Sequence, residues 1–379
     1  MISPAGRGQA GRDPGSRQPA DRDPGSRQPA GRKPGNRKPA GLRPVWLAAA
    51  VLSLLAVVIA GLALGSVRLP PAGVAVELLD LLPGVHLNSG LSEREAAILT
   101  ELRLPRVVLG LLVGAMLALA GAAYQGAFRN PLADPHLLGV AAGAGLGVTA
   151  MIVLGAEATA QGAVPAAAFA GALCAVALTW LLGAAGGRDR SPAALILAGV
   201  AVSSFLSAVQ TYLLQRHVDS LQQVYSWLLG RLGTAGWRDV LVVLPYALVT
   251  AVIVLSRRRE LDVLTVGDAE ARSLGLHPQR SRYLLIIAAS LGTAAAVSVS
   301  GLIGFVGIIV PHTIRLLTGP SYRSLLPLSL LFGAAFLVLT DLLARTAGGA
   351  AEIPIGVVTA FLGAPFFILV LRTSRAVQT

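Results

Sequence analysis

Ten apolar runs, each close to the roughly 20 residues that a helix needs to cross a bilayer, follow one another along the sequence. The chain is 54% hydrophobic and only 13% charged, whereas soluble domains carry about 25% charged residues. Both observations predict an all-α integral membrane protein with ten transmembrane helices. We place the spans at residues 45–67, 104–126, 136–155, 162–185, 192–214, 237–256, 281–299, 302–317, 324–344 and 353–371.

The distribution of basic residues predicts the orientation of these spans. Ten spans put both termini on one side of the membrane. With the N-terminus inside and its tail left out, the inner segments carry 13 Lys and Arg and the outer segments carry 8. Basic residues are usually in excess on the cytoplasmic side, so both termini are predicted to be cytoplasmic. The net charge of +12 lies in the tail and short loops, which argues against nucleic-acid binding.

Residues 1–43 form a separate, low-complexity region. It contains three near-copies of one decapeptide, GRDPGSRQPA, DRDPGSRQPA and GRKPGNRKPA. Segments this rich in Pro, Gly and Arg cannot bury enough apolar surface to fold, so we predict a disordered basic cytoplasmic tail. The repeats could contact anionic lipid headgroups, although a solvated tail is the simpler interpretation. Residues 44–379 then form the transmembrane domain.

Several kinds of catalytic or cofactor site are missing from the sequence. The only lysines are Lys33 and Lys38 in the tail, so no GxxxxGK[ST] phosphate-binding loop exists. The five histidines show no zinc-ligand spacing, and no serine lies in a GxSxG turn. We therefore predict no catalytic residues, no cofactor and no metal site.

Charged residues inside the spans are equally scarce. Asp341 is nearly the only candidate for ion coupling, and Arg345 follows it by one helical turn. An i,i+4 ion pair explains these two residues better than a proton relay. Because ion-coupled carriers need ionisable groups in their spans, this chain is expected to take its energy from another subunit. Small-residue spacings at Gly110/Gly114 and at Gly139, Gly143 and Gly147 predict close helix packing.

Five motifs occur in a fixed order and carry a family resemblance. They are LRLPR at 102–106, GAMLALAGAAYQGAFRNPLADPHLLGVAAGAGLG at 114–147, LAGVA at 197–201, GLIGFVGIIVPHTIR at 301–315 and EIPIGVVTAFLGAPFFI at 352–368. Over about residues 45–372 the chain resembles the FecCD/BtuC permeases of ATP-binding-cassette importers for ferric siderophores, haem and vitamin B12. The resemblance implies a second permease subunit (the same chain or a paralogue), two cytoplasmic ATPase subunits and an extracytoplasmic substrate-binding lipoprotein.

The resemblance also implies roles for three sets of residues. Arg103, Arg106 and Arg345 match the outer-lip arginines that dock the binding protein, since an Arg fork binds carboxylate bidentately; the alternative is that Arg103 and Arg106 anchor the span at the headgroups. The turn Arg190-Ser191-Pro192 would lie at the cytoplasmic gate, although helix capping explains it equally. The ATPase coupling helix would comprise Gly267, Asp268, Ala269, Glu270, Ala271, Arg272, Ser273, Leu274 and Gly275.

The sequence of the coupling segment predicts its local structure. Asp268 can N-cap a short helix through Leu274, and Gly275 can end it. The EAxxxG pattern from Glu270 to Gly275 is weak alone and gains weight from the family match, against the alternative of an ordinary amphipathic loop helix.

The expected function is that of a permease subunit in the cytoplasmic membrane, surrounded by lipid. It would pass a ferric siderophore from the binding protein into the cytoplasm while the ATPase hydrolyses ATP. Vitamin B12 and haem are the alternative cargoes. An ion-coupled secondary carrier and a structural scaffold are the alternatives from other classes.

Overall fold

The computed structural model describes residues 42–65, 67–80, 84, 86–155, 162–185, 192–348 and 351–376. The predicted tail at 1–43 falls almost wholly outside these residues and stays a prediction. Arg190 and Ser191 of the predicted gate are also outside them.

Helices make up most of the described chain, because its apolar runs are rich in Ala and Leu, which favour helix. A π-helix at Ile98–Arg103 and a 3₁₀ turn at Val218–Ser220 interrupt the α-helical order. The α-helices are α1 (Pro44–Ala63), α2 (Pro71–Asp80), α3 (Glu93–Ala97), α4 (Leu104–Phe128), α5 (Val140–Val153), α6 (Ala163–Ala185), α7 (Pro192–Arg216), α8 (Leu221–Leu228), α9 (Trp237–Ser256), α10 (Arg258–Leu264), α11 (Asp268–Ser273), α12 (Pro278–Ser300), α13 (Val306–Thr318), α14 (Tyr322–Ala347) and α15 (Ile355–Ala376).

Each of the ten predicted spans corresponds to one of these helices, which confirms the all-α membrane fold. Seven are long and apolar enough to cross a bilayer: α1, α4 with the helical turns before it, α6, α7, α9, α12 and α14. The apolar helices α5 and α13, and the apolar part of α15 at Ile355–Ile368, are shorter.

The two shortest spans begin later than predicted, for a backbone reason. Gly139 and Phe305 both adopt the left-handed region, at φ 84° and 68°, immediately before α5 and α13. The Asp134-Pro135 pair is typical of a helix N-terminus, but the Asp134 carboxylate accepts the backbone N–H of His136 at 2.8 Å and so caps a turn that precedes α5.

The segments between spans hold more helix than expected. Helix α3 continues through the π-helix into α4, and α2 and α8 lie outside the ten predicted spans. Trp227 is buried in the core, whereas Tyr225, two residues earlier, is exposed. Cys174 is exposed on α6.

Helix α4 lies at the centre of the bundle, against α9, α12, α13 and α14. Its 25 residues span about 37 Å, so its two termini mark opposite ends of the molecule. The predicted close packing is found at Gly114, where an added Cβ would lie 2.7 Å from the Cβ of Leu337, and at Gly143, where it would lie 2.9 Å from the carbonyl carbon of Gly171.

Candidate docking and coupling sites

The three arginines predicted for docking lie together at the end of the bundle where α4 begins. Arg103 ends the π-helix, Arg106 lies in the first turn of α4, and Arg345 lies near the end of α14. Two carboxylates, Asp341 on α14 and Glu352 just before α15, complete what we call the lip cluster.

Arg106 is held by both carboxylates. Its Nη1 and Nη2 donate to the Oε1 and Oε2 of Glu352 at 2.9 and 2.8 Å, a bidentate pair. Its Nε and Nη2 donate to the Oδ1 of Asp341 at 3.1 and 2.8 Å. The side chains of Arg106 and Asp341 are only 12% and 3% exposed, whereas that of Glu352 is 50% exposed. The hydrogen bonds from Arg106 hold the pKa of Glu352 below its usual value, so this carboxylate stays ionised at neutral pH.

Arg345 links the lip cluster to α1. Its Nε lies 3.2 Å from the Oδ2 of Asp341, which confirms the i,i+4 ion pair expected from the sequence. Its Nη2 donates to the carbonyl of Gly61 at 2.8 Å. The side chain is therefore buried between two helices.

Arg103 has turned away from the surface. Its Nη1 donates to the carbonyls of Leu62 and Ala63 at 2.6 and 3.1 Å, and its Nη2 donates to the carbonyl of Val67. Leu62 and Ala63 lie in the last turn of α1, where carbonyls have no partner within the helix; the Ala63 carbonyl also accepts the N–H of Leu69, and Val67 lies just beyond the helix. With 6% of the residue exposed, Arg103 holds the end of α1 in this structure, and its predicted docking role would require the guanidinium to leave these carbonyls.

The predicted coupling segment lies at the other end of α4. Asp268 was expected to be the N-cap of α11, but the N-cap residue is Gly267, with φ 138°. Asp268 is the first residue of the helix. Instead, the Oδ1 of Asp268 accepts hydrogen bonds from two arginines. The donors are Nη2 of Arg129 at 2.7 Å and Nη2 of Arg282 at 2.8 Å. Arg282, through Nε, also donates to the carbonyl of Ala127 at 2.8 Å. We call these four residues the loop seat.

The arginines of the loop seat keep the Asp268 carboxylate ionised at neutral pH. The pKa of Asp268 is lowered, chiefly by the hydrogen bonds from Arg282. Sequence analysis did not single out Arg282; the only signal was an arginine just inside an apolar run. The structure buries its side chain to 3% exposure, which makes it the residue that ties α11 to α4.

The end of α11 follows the prediction. Gly275 has φ 81°, and the N–H of Leu276 donates to the carbonyl of Ala271 at 3.0 Å, as in a glycine-ended helix. Ala271 is buried, whereas Glu270 and Arg272 are exposed and Leu274 is 68% exposed. Ala271 therefore faces the bundle, while most of the segment is accessible from outside it.

Of the predicted gate, only Pro192 lies among the described residues, as the first residue of α7. An apolar cavity that sequence analysis missed, of about 560 Å³, opens between α8 and α15. Leu228, Leu302, Val357 and Phe361 are among its lining residues.

Comparison with known proteins places this geometry in a family. Residues 53–373 match the model of the FecCD transport family. The cobalamin import system permease protein BtuC of Halobacterium salinarum is 43% identical over 300 residues, which cover 79% of this chain and 80% of that protein. The Fe(3+)-citrate import system permease protein YfmD of Bacillus subtilis is 37% identical over 307 residues, 79% of this chain and 88% of that protein.

A solved structure agrees with these sequence matches. It is described as an inward-facing metal-chelate type ABC transporter, and it superposes with a TM-score of 0.75 at 30% identity, covering 87% of this chain and all of that one. The family match at residues 53–373 includes the lip cluster, the loop seat and the five motifs in the sequence. The chain belongs to the FecCD transport family, as a multi-pass membrane permease subunit of an ATP-binding-cassette importer.

Proposed function

We propose that this permease receives its cargo from an extracytoplasmic binding protein at the lip cluster and is driven by two ATPase subunits at α11. The observation that carries the proposal is the placement of these two sites at opposite ends of α4. An arginine held by carboxylates suits a carboxylate-bearing partner, and an exposed short helix on a charged seat suits a motor subunit. The lip would face outward and both termini inward, in agreement with the basic-residue count.

A second permease subunit, a copy or a paralogue, would complete the pathway. The segment Arg190-Ser191-Pro192, whose last residue begins α7, is proposed as part of the cytoplasmic gate because of the family resemblance alone.

For the cargo, we propose a large metal chelate. The ferric siderophore expected from sequence analysis is supported by the ferric-citrate relative. Cobalamin is the other candidate, and the higher identity to the cobalamin permease of Halobacterium salinarum supports it. On that support we propose cobalamin ahead of the siderophore.

Uptake in cells that lack this gene tests the cargo. We expect loss of labelled cobalamin uptake, restored by the intact gene, with ferric siderophore uptake unchanged. Loss of radio-iron uptake alone would make the siderophore the cargo and leave the transport mechanism in place. If a gradient of protons or sodium drives uptake without the ATPase subunits, the chain is a secondary carrier and the proposal fails.

Replacing Arg106 tests docking. Arg106→Lys keeps the charge but loses the planar fork, and we expect capture of the binding protein by the ATPase–permease complex to fall at least about tenfold. Capture would be measured with the binding protein that supports uptake, on complexes in lipid nanodiscs. Arg94→Lys, at an exposed position early in α3, is the matched control, and equal capture by both variants would rule out docking through Arg106.

A further inference from the structure

Glu352 occupies the face of Arg106 that a partner's carboxylate would need. The guanidinium has one side-on edge, Nε with Nη2, and one end-on edge, Nη1 with Nη2. Asp341 takes the first edge and Glu352 takes the second. A carboxylate arriving from outside the chain can therefore form a bidentate contact only by replacing one of them.

The two carboxylates differ in how easily they can leave. Asp341 is 3% exposed and also pairs with Arg345, so freeing it would leave a buried charge without its partners, which is strongly unfavourable. Glu352 is 50% exposed, and within the described residues its carboxylate hydrogen bonds go to Arg106 alone. On release it turns into water, and an ion pair with one half-exposed partner costs less to break than a pair that is buried on both sides.

The approach to this pair is open. Gly233 lies beside it, so close that an added Cβ would be 3.2 Å from the Oε2 of Glu352 and 3.4 Å from the Nη1 of Arg106. Because glycine carries no side chain, an incoming carboxylate can reach the fork there. A cavity of about 480 Å³, lined in part by Arg106, Arg231, Gly233 and Glu352, adjoins the same place.

We propose that Glu352 is an internal stand-in for the docking carboxylate, and that an acidic side chain of the binding protein takes its place on Arg106. The inference rests on the proposed docking function. The exchange conserves charge at Arg106, so the partner is recognised without exposing an unpaired arginine. It also explains why an arginine expected on the surface is 12% exposed before the partner arrives.

The exchange has a consequence for α15. Glu352 is followed directly by Ile353, whose N–H donates to the carbonyl of Ala344 at 3.1 Å, and α15 begins at Ile355. The N–H of Gly356 donates to the carbonyl of Leu229 at 3.0 Å, beside the apolar cavity. Release of Glu352 removes the ion pair that holds this connection to α4, so docking loosens the start of a helix that lines the cavity.

The test is Glu352→Gln in the complete ATPase–permease complex, with Glu101→Gln as the control. Both changes remove one negative charge from the same end of the bundle, and Glu101 is exposed and outside the lip cluster. We expect Glu352→Gln to capture the binding protein about fivefold more tightly, the upper end of the range for surface ion pairs, because Glu352 is half exposed and Arg106 is not. Glu101→Gln should leave capture unchanged.

Hydrogen exchange provides a second measurement that does not depend on affinity. We expect the amides of residues 351–357 to exchange faster when the binding protein docks, and to exchange faster without it in Glu352→Gln. Unchanged or weaker capture by Glu352→Gln, or slower exchange on docking, would overturn the stand-in role. If Arg106→Lys weakens capture while Glu352→Gln does not tighten it, docking survives and only this inference fails.

Discussion

Replacing Arg282 with glutamine is expected to abolish ATP-driven uptake and to destabilise the permease by about 1.5–3 kcal/mol, the range for losing a hydrogen bond to a charged group. The Arg282 side chain is 3% exposed, and it bonds the carbonyl of Ala127 and both oxygens of Asp268. Glutamine is shorter than arginine and uncharged, so it cannot donate to both the Ala127 carbonyl and the Asp268 carboxylate. The Asp268 carboxylate would then depend on Arg129 alone.

The expected loss of transport follows from the size of α11. A helix of six residues has no stability of its own, so its position depends on contacts such as the loop seat. If α11 carries motion from the ATPase, a loosely held α11 will let ATP be hydrolysed without moving the spans. We therefore expect ATP hydrolysis in proteoliposomes to persist while uptake falls by more than about tenfold.

Three further variants separate coupling from folding. Arg259→Gln, at an exposed position of α10, should leave both uptake and the melting temperature unchanged. Asp268→Asn keeps the bond from Arg282 to Ala127 and should uncouple transport with a smaller loss of stability. The double variant should cost less than the two single changes together, because they share one interaction. Full uptake by Arg282→Gln at normal yield would contradict the coupling role.

The spans were predictable because hydropathy and length are local properties. All ten apolar runs became helices, and the Asp341–Arg345 pair was predictable because one helical turn fixes it. The starts of α5 and α13 were predicted too early, because the residue before each helix, Gly139 or Phe305, has a left-handed backbone conformation. A single sequence does not reveal such a conformation in a non-glycine residue.

The candidate sites were only partly predictable, because their partners are distant in sequence. Arg106 meets Glu352 across 246 residues, and Arg103 meets a carbonyl of α1 across 41. Motif matching identified the arginines but gave no information on what they bind within the chain. Arg282 was missed for the same reason, since its role appears only when α11 and the end of α4 come together.

Glycine spacing is likewise only a partial guide to helix packing. The pairs found in the sequence indicated close packing without naming the partner helix. Gly121, which belongs to none of those pairs, makes one of the closest approaches. A Cβ added there would lie 2.5 Å from the Cα of Gly307 on α13.

Gly121→Ala is expected to prevent the normal packing of α4 against α13. The neighbour is backbone, so no side-chain rotation can relieve the overlap, and the helices must separate by about 1 Å to reach ordinary contact. That shift would also strain the bond from Gln125 Nε2 to the Gly307 carbonyl, 3.0 Å, one turn further on. We expect a loss of about 3 kcal/mol, the upper part of the range for overpacking, measured as a lower melting temperature and yield in detergent.

Gly236→Ala supplies the matched control for the same added methyl group. A Cβ at Gly236 meets nothing within 4 Å, and its φ of −124° is open to any residue. This variant should have the same melting temperature as the unchanged protein. Equal melting temperatures for Gly121→Ala and Gly236→Ala would mean that α13 can move away from α4 without cost. The α4–α13 contact would then be deformable, and the rigid centre of the bundle would consist of α4, α12 and α14 alone.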